Sequence, residues 1–190
     1  MVTTLGPYTV ADLLRMREET DDRLELIDGE VFVVPSPDVD HRGISVRLVH
    51  HFFLQVELRG IGRVFHAPMD LRFTELRDVQ LDLIVVLAAD GATLVRPRIE
   101  GVPTLVVEIV SPSSRVHDRQ RKRALYADVG VPEYLLVEPL SRSVTSLSEP
   151  SGGDYRAETV SNEGDTFRSA TIPGLEIAVA DLFPPSLGSG

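Results

Sequence analysis

The chain has 190 residues, of which 43% are hydrophobic and 25% charged, as is ordinary for one soluble globular domain. It contains no cysteine, which excludes disulfides, zinc–thiolate centres and thiol nucleophiles. The net charge of −10 argues against a protein that coats nucleic acid nonspecifically. It does not exclude a nuclease, because a site that gathers carboxylates around a divalent cation is locally acidic.

The N-terminus lacks the charged start and apolar core of a signal peptide. The longest apolar run, at 83–89, is too short to span a bilayer. We therefore expect a cytoplasmic protein with no membrane segment. We also expect one domain over residues 1–183, followed by a disordered C-terminal tail at 184–190.

The first 60 residues predict a helix, a hairpin and a longer helix. Thr9 can cap a short amphipathic helix that ends near Met16. The segment RLELIDGEVFVV predicts a hairpin with Asp28-Gly29 as its turn, although alternation alone leaves open whether Glu25 faces the interior or solvent. After a loop that contains SPDVDH, apolar residues at every fourth position predict a helix over about 42–59.

The middle of the chain predicts strands. Two are expected at about 63–67 and 69–73, separated by Pro68. The run QLDLIVVL at 80–87 is apolar nearly throughout, which is typical of a strand covered on both faces. Residues 88–103, with several Gly and Pro breakers, are expected to form a loop.

The stretch from Thr104 to Glu138 contains the most informative pattern in the chain. It reads as a buried strand over Thr104–Val110, a Ser-Pro turn, a basic helix over 115–129 and a strand over Glu133–Glu138. A polar antiparallel meander at a sheet edge is expected next, and IPGLEIAVADLF is expected to pack back onto the domain.

Two carboxylates interrupt the apolar strands, Asp82 in the first and Glu108 in the second. An unpaired buried carboxylate costs several kcal/mol, so we expect both to have partners or a function. If the two strands are neighbours, the pair can bind Mg²⁺ or Mn²⁺, or act as acid and base as in glycosidases. The plainer alternative is that each acid caps the chain or pairs with an arginine.

Lys122 is the only lysine of the chain, among 19 lysines and arginines. It follows Glu108 on the basic helix, where a compact ammonium can orient water and stabilise charge on a phosphorus, so it favours the metal alternative. One lysine must fall somewhere, and chance is the competing explanation. The arginines around it, from Arg115 to Arg123, are normally a solvated helix face, but they could also touch phosphates.

These segments together resemble a known family. The string VVEIVSPSS, followed by D…K…LYADVGVPEYLLVEP, with LELIDGEVF and VQLDLIVV earlier, is similar to the Uma-two family over roughly residues 8–182. That family is described as restriction endonucleases of the PD-(D/E)XK superfamily. The resemblance implies an α/β (α+β) restriction-endonuclease-like mixed sheet flanked by helices, and metal-dependent hydrolysis of DNA.

Carried over position by position, the resemblance implies that Asp82 and Glu108 bind Mg²⁺ or Mn²⁺. The carbonyl of Ile109 is a further ligand, and Lys122 replaces the lysine usual at the position of Val110. It also places Glu25 and His41 among the catalytic residues.

Three family positions differ here: Leu81 precedes Asp82 instead of proline, Thr104 replaces an acid, and Leu135 replaces a tryptophan. From the residues themselves, Asp70 can add to the acidic pocket. Gln80 shares a strand face with Asp82 and can bind substrate or water.

Two other classes of function remain open. One is a catalytically degenerate nuclease fold that binds nucleic acid or protein. The other is a metal-independent two-carboxylate hydrolase with a different substrate. A homodimer is the expected assembly, since it suits cleavage of two strands.

Overall fold

In the computed structural model, two six-stranded mixed β-sheets organise the described residues, and helices pack on their faces. The structure describes residues 7–88, 93–95, 97–111 and 116–185. The predicted α+β class is confirmed, with two large sheets where a single one was expected. Among the described residues, no helix combines the length and apolar character needed to cross a membrane.

The helical segments follow the sequence signals closely at α1 and less closely at α2. They are α1 (Val10–Glu18), α2 (Val39–Phe52) with a π-helical continuation (Phe53–Glu57), a π-helical segment (His117–Lys122), α3 (Arg123–Asp128) and a 3₁₀ turn (Val179–Leu182). Thr9 caps α1 in a capping box with Asp12, as predicted. Asp38 caps α2, so this helix begins before residue 42 and takes His41 from the expected loop into its first turn.

The strands are β1 (Arg23–Ile27), β2 (Glu30–Val34), β3 (Gly62–His66), β4 (Asp70–Thr74), β5 (Arg77–Gln80), β6 (Leu83–Leu87), β7 (Thr93–Val95), β8 (Arg98–Glu100), β9 (Leu105–Ile109), β10 (Glu133–Glu138), β11 (Ser143–Ser151), β12 (Asp154–Asn162), β13 (Thr166–Arg168) and β14 (Glu176–Ala178). The first sheet has the order β2-β1-β5-β4-β8-β7, and the second the order β12-β11-β10-β9-β6-β3. The predicted β1–β2 hairpin is present, and its turn residues Asp28 and Gly29 have φ of 51° and 78°.

Two predictions for the middle of the chain were wrong. The run at 80–87 is not one strand, because β5 ends at Gln80 in the first sheet and β6 begins at Leu83 in the second. Both strands are buried, so the hydrophobic pattern does not show the break. The expected loop at 88–103 contains β7 and β8, which pair Leu94 with Ile99. Residues 89–92 and 96 lie outside the described part.

The second sheet is covered on both faces. On one face, Ile44, Leu48 and Phe52 of α2 pack with the odd-numbered residues of β6 and β9. On the other face, the even-numbered residues pack with the first sheet and with α3. The helix α1 covers β1 through Val10 and Leu13. The helical crossover from β9 to β10 joins parallel strands, as is usual for a βαβ unit.

The C-terminal part follows the sequence prediction. β11 and β12 form the expected antiparallel meander, and β12 is an edge strand. β14 and the 3₁₀ turn bring Ile177, Val179 and Leu182 into the core beneath α2. Residues 186–190 of the predicted tail lie outside the described residues, as do 112–115, which hold most of the Ser-Pro turn and Arg115.

Candidate active site

Asp82 and Glu108 come together because β6 and β9 are antiparallel neighbours. The register pairs Leu83 with Val107. Because the strands are antiparallel, the residue before Leu83 lies opposite the residue after Val107, so Asp82 lies level with Glu108. Both residues are buried, with 6% and 4% of their surface exposed. The two strands are therefore adjacent, as the predicted meeting of the carboxylates required.

Two groups hold the carboxylate of Asp82. The backbone N–H of Ile109 donates to Oδ2 at 2.8 Å, and Nε2 of His41 lies 3.2 Å from the same oxygen. His41 reaches this position because α2 begins at Val39, which places the imidazole in the first turn of the helix, above the end of β6.

Lys122 lies at the centre of the acidic cluster and is almost fully buried. Its Nζ donates to Oε1 of Glu108 at 2.8 Å and to Oε1 of Glu25 at 3.0 Å. A third carboxylate oxygen, Oδ1 of Asp118, lies 3.8 Å away. The only lysine of the chain is therefore the counterion of three buried acids.

Sequence reasoning assigned no role to Asp118 or Tyr126, although a signal was available. Residues 118, 122 and 126 are spaced by four, which places them on one face of a helix. Asp118 is 2% exposed, and the hydroxyl of Tyr126 donates to Oε1 of Glu108 at 3.0 Å. Tyr126 in turn contacts Tyr134 edge to face, with ring centroids 4.9 Å apart.

Glu25 faces the interior, which decides the alternative that alternation left open. Its side chain is fully buried, and Oε1 also accepts a hydrogen bond from the backbone N–H of Gln80 at 3.1 Å. Its second oxygen, Oε2, lies 3.5 Å from Nε2 of His117. Neither of these two atoms has a hydrogen-bond partner among the described residues. His117 is a second residue that sequence reasoning missed.

The charges of the cluster shift its pKa values in opposite directions. Burial alone would raise the pKa of Glu25, but Lys122 and His117 outweigh it and hold that pKa at about 2. Burial raises the pKa of Glu108 well above its usual range; Lys122 opposes this rise, and Asp82, Asp118 and Glu25 add to it. Burial would lower the pKa of Lys122, but Glu108, Glu25 and Asp118 raise it, so the ammonium stays protonated.

A cleft of about 250 Å³ opens onto this cluster. Its charged and polar lining comprises Arg23, Ser36, Asp38, His41, Gln80, Asp82, Glu108, Ser111, Asp118 and Lys122, and Ile109 lines it as well. Of the site residues that the family resemblance implies, Glu25 is not part of this lining. It lies behind the lining and contacts two lining residues, Lys122 through the ammonium and Gln80 through the backbone N–H.

The other charged residues considered from sequence lie outside the cleft. Asp70 pairs with Arg17 at 3.2 Å and accepts from Gln80 at 2.9 Å. The described arginines of the basic helix form ion pairs with neighbouring acids, as expected of a solvated helix face. These pairs are Arg119–Glu138, Arg121–Glu30, and Arg123 with Asp154 and Glu158.

The donor set suits a hard divalent cation. All hydrogen bonds from described residues to the two strand carboxylates end on Asp82 Oδ2 and Glu108 Oε1, which leaves one oxygen of each for a ligand. Mg²⁺ is commonly held by one or two carboxylates and keeps several waters. Within the described residues, no three His, Asp or Glu side chains form a ready-made cage, so backbone and water ligands would complete the coordination.

Comparison with known proteins identifies the family of this chain. A family model described as "Uma2: Putative restriction endonuclease" matches residues 10–180. The chain belongs to the Uma2 family. Two relatives of this Uma2 protein, both uncharacterised proteins of Synechocystis sp., are slr1290 and sll1609. The first is 25% identical over 145 residues, with 76% of this chain and 75% of the relative covered. The second is 23% identical over 140 residues, with 73% and 78% covered.

A solved structure has the same fold as this Uma2 chain. It is a crystal structure titled as a putative nuclease belonging to DUF820 from Anabaena variabilis, with a TM-score of 0.76 and 20% sequence identity. The superposition covers 93% of this chain and 98% of the other. The solved structure shows the fold, and the family description supports a nuclease function, that is, a hydrolase that acts on nucleic acid.

Proposed function

We propose that this Uma2 chain is a metal-dependent endonuclease that hydrolyses DNA phosphodiester bonds. One observation carries the proposal. Asp82 and Glu108 lie level on neighbouring strands, with the ammonium of Lys122 2.8 Å from Glu108, and all three residues line the same cleft. Two carboxylates and a lysine beside them are the groups that metal-assisted phosphoryl transfer needs.

The residues that would hold Mg²⁺ or Mn²⁺ are Asp82, Glu108 and, through its carbonyl, Ile109. A bound divalent cation would polarise the phosphodiester and lower the pKa of a coordinated water. His41 and the amide of Ile109 hold Asp82 by Oδ2, so its other oxygen is the one available to the cation. Thr104, which stands where the family has an acid, does not line the cleft.

Lys122 acts in this proposal as a hydrogen-bond donor and not as a general base. Three carboxylates raise its pKa, so the ammonium has no free lone pair to accept a proton from water. It can orient the attacking water and stabilise the charge that develops on phosphate oxygens. Glu25 and Tyr126 position the lysine and Glu108 respectively, each through a direct hydrogen bond.

A specific observation also favours the second candidate, a catalytically degenerate fold that binds nucleic acid or protein. The ammonium of Lys122 already neutralises part of the charge of Glu108 and Glu25. A cluster whose charge is satisfied internally has less need of a cation. The two candidates make opposite predictions for metal binding.

The test is cleavage of plasmid and single-stranded DNA with Mg²⁺, Mn²⁺ or EDTA, together with calorimetric titration of Mn²⁺. We would compare wild type with Asp82→Asn, Glu108→Gln and Lys122→Met. The matched control is Glu75→Gln, since Glu75 is exposed and does not line the cleft. Each site variant is expected to lose at least 100-fold in cleavage rate, about the loss on removing one transition-state donor, while the control cleaves as wild type does.

The outcomes separate the candidates. Metal-dependent cleavage lost in the three site variants but kept in Glu75→Gln supports the nuclease. Absence of both cleavage and Mn²⁺ binding in the wild type would move the assignment to the degenerate binding module. Cleavage that persists in EDTA would instead indicate two-carboxylate chemistry without a metal.

A further inference from the structure

Arg23 lines the cleft, and no described residue neutralises its charge. Arg23 begins β1 and lies on the same strand face as Glu25, two residues further on. It lines the cleft together with the acids Asp38, Asp82, Glu108 and Asp118. Within the described residues, no carboxylate forms an ion pair with it.

A neutral group holds the guanidinium in place. Nε of Arg23 donates to Oε1 of Gln80 at 3.2 Å. The other end of the same amide, Nε2, donates to Asp70 at 2.9 Å, and Asp70 is neutralised by Arg17. Since Asp70 needs a donor and Arg23 an acceptor, the amide of Gln80 has only one satisfactory orientation. Gln80 therefore positions Arg23 without cancelling its charge.

This arrangement differs from those of the described arginines of the basic helix. Arg119, Arg121 and Arg123 each face a carboxylate at 2.6–2.9 Å, so their charge is satisfied within the protein. Arg23 has its Nε engaged by Gln80, and its two terminal nitrogens make no hydrogen bond with a described residue. Those nitrogens form the edge of the guanidinium that binds phosphate in a bidentate manner.

We infer that Arg23 is a substrate-binding residue that contacts a phosphate of the nucleic acid, and that Gln80 is its positioning residue. The inference rests on the proposed function for the identity of the ligand. An acidic cleft repels a polyanion, so a substrate strand that enters it needs a compensating cation at a fixed place. Lys122 is committed to three carboxylates, so Arg23 is the arginine or lysine among the described lining residues that is available for that contact.

The experiment measures binding of fluorescein-labelled duplex DNA, single-stranded DNA and RNA by anisotropy in EDTA, over a series of NaCl concentrations. The variants are Arg23→Ala, Arg23→Lys and the control Arg63→Ala. Arg63 is exposed, lies over the ring of Phe65 and does not line the cleft, so its removal changes the net charge equally. Cleavage of the same nucleic acids with Mg²⁺ is measured on the same preparations.

Arg23→Ala is expected to weaken binding about tenfold and to lower the magnitude of the slope of log K against log salt by about one, as loss of one phosphate contact does. Arg23→Lys is expected to keep the wild-type slope, because the charge remains, but with weaker binding, because the bidentate geometry is lost. This second variant also decides the question if Arg23→Ala does not fold. An Arg23→Ala effect no larger than that of Arg63→Ala would overturn the inference.

The cleavage measurement separates this inference from the proposed function. Wild type that binds through Arg23 but does not cut would support the phosphate contact and overturn the nuclease. Wild type that cuts, with Arg23→Ala indistinguishable from Arg63→Ala, would support the nuclease and overturn the contact. No binding of any of the three nucleic acids would overturn both.

Discussion

Replacement of Lys122 by methionine tests whether the buried cluster depends on the Lys122 ammonium. Methionine has nearly the volume of lysine but no charge, so the change removes the cation that Glu25 and Glu108 contact while both carboxylates stay buried. Removal of one partner from a buried ion pair typically costs 3–5 kcal/mol, because the remaining charge is uncompensated. We expect the free energy of unfolding at pH 7 to fall by about this amount.

The loss of stability in Lys122→Met should be larger at pH 7 than at pH 5. Without Lys122, the folded protein loses least free energy if one of the two buried glutamates, whose ordinary pKa is 4.5, becomes protonated. Protonation of one such group at pH 7 costs about 3.4 kcal/mol, at 1.36 kcal/mol per pH unit, and at pH 5 about 0.7 kcal/mol. In the variant, the folded-state pKa lies above the unfolded value, so stability is lost as pH rises through and beyond 4.5.

The assay is urea unfolding followed by far-ultraviolet circular dichroism, at pH 7 and pH 5, for wild type and Lys122→Met. Arg121→Met is the matched control from the same helical segment. Its ion pair with Glu30 has both side chains more than half exposed and should contribute less than about 1 kcal/mol. A Lys122→Met loss below about 1 kcal/mol at pH 7, or a loss that does not shrink at pH 5, would refute the reasoning about buried charge.

Two other predictions concern single positions. Glu25→Gln should lower the free energy of unfolding by about 3 kcal/mol at pH 7 and by about 2 kcal/mol at pH 3.5. The pKa of Glu25 is about 2 in the folded state and 4.5 in the unfolded state, so its carboxylate contributes stability that is lost as pH falls below 4.5. Urea unfolding across this pH range measures the loss, and a loss that does not change with pH would contradict the prediction. Gly62→Ala should lower the free energy of unfolding by about 1–3 kcal/mol, because its Cβ would lie 2.6 Å from the carbonyl oxygen of Val86. The control is Gly164→Ala, whose Cβ would have no atom within 4 Å and should leave the thermal midpoint nearly unchanged. Equal thermal midpoints for the two variants would contradict the prediction.

The sequence predicted correctly those features of the fold that are determined by neighbouring residues, such as a turn or a helix cap. The Asp28-Gly29 turn fixes the β1–β2 hairpin, since both residues adopt positive φ. The Thr9 cap fixes the start of α1. The start of α2 was misplaced because the segment SPDVDH was interpreted as a loop, whereas its Asp38 caps the helix. Gly43 in the first turns is required by packing, since a Cβ there would lie 2.8 Å from Pro184.

Long-range placement could be predicted only in part. Interruption of two apolar runs by Asp82 and Glu108 was enough to mark both carboxylates as candidates, because an unpaired buried carboxylate is costly. That their strands are neighbours was a condition of the prediction, and the structure shows it. The inward orientation of Glu25 was not predictable, since period-two alternation does not identify the buried face of a strand. Nor was the proposed role of Arg23, because it depends on which described residues lie near Arg23 in space, and the sequence does not show that.

The position of the cluster follows from the way the chain passes between the sheets. β5 ends at Gln80 in the first sheet and β6 begins at Leu83 in the second, so Asp82 lies where the backbone leaves one ladder and enters the other. At such a point, backbone groups are free to bind a side chain, as the N–H of Ile109 binds Asp82. A carboxylate in the middle of β6 would face packed apolar side chains on either face. The crossing between the sheets is therefore the place on these strands where an acid can be buried, hydrogen-bonded and still open to a cleft.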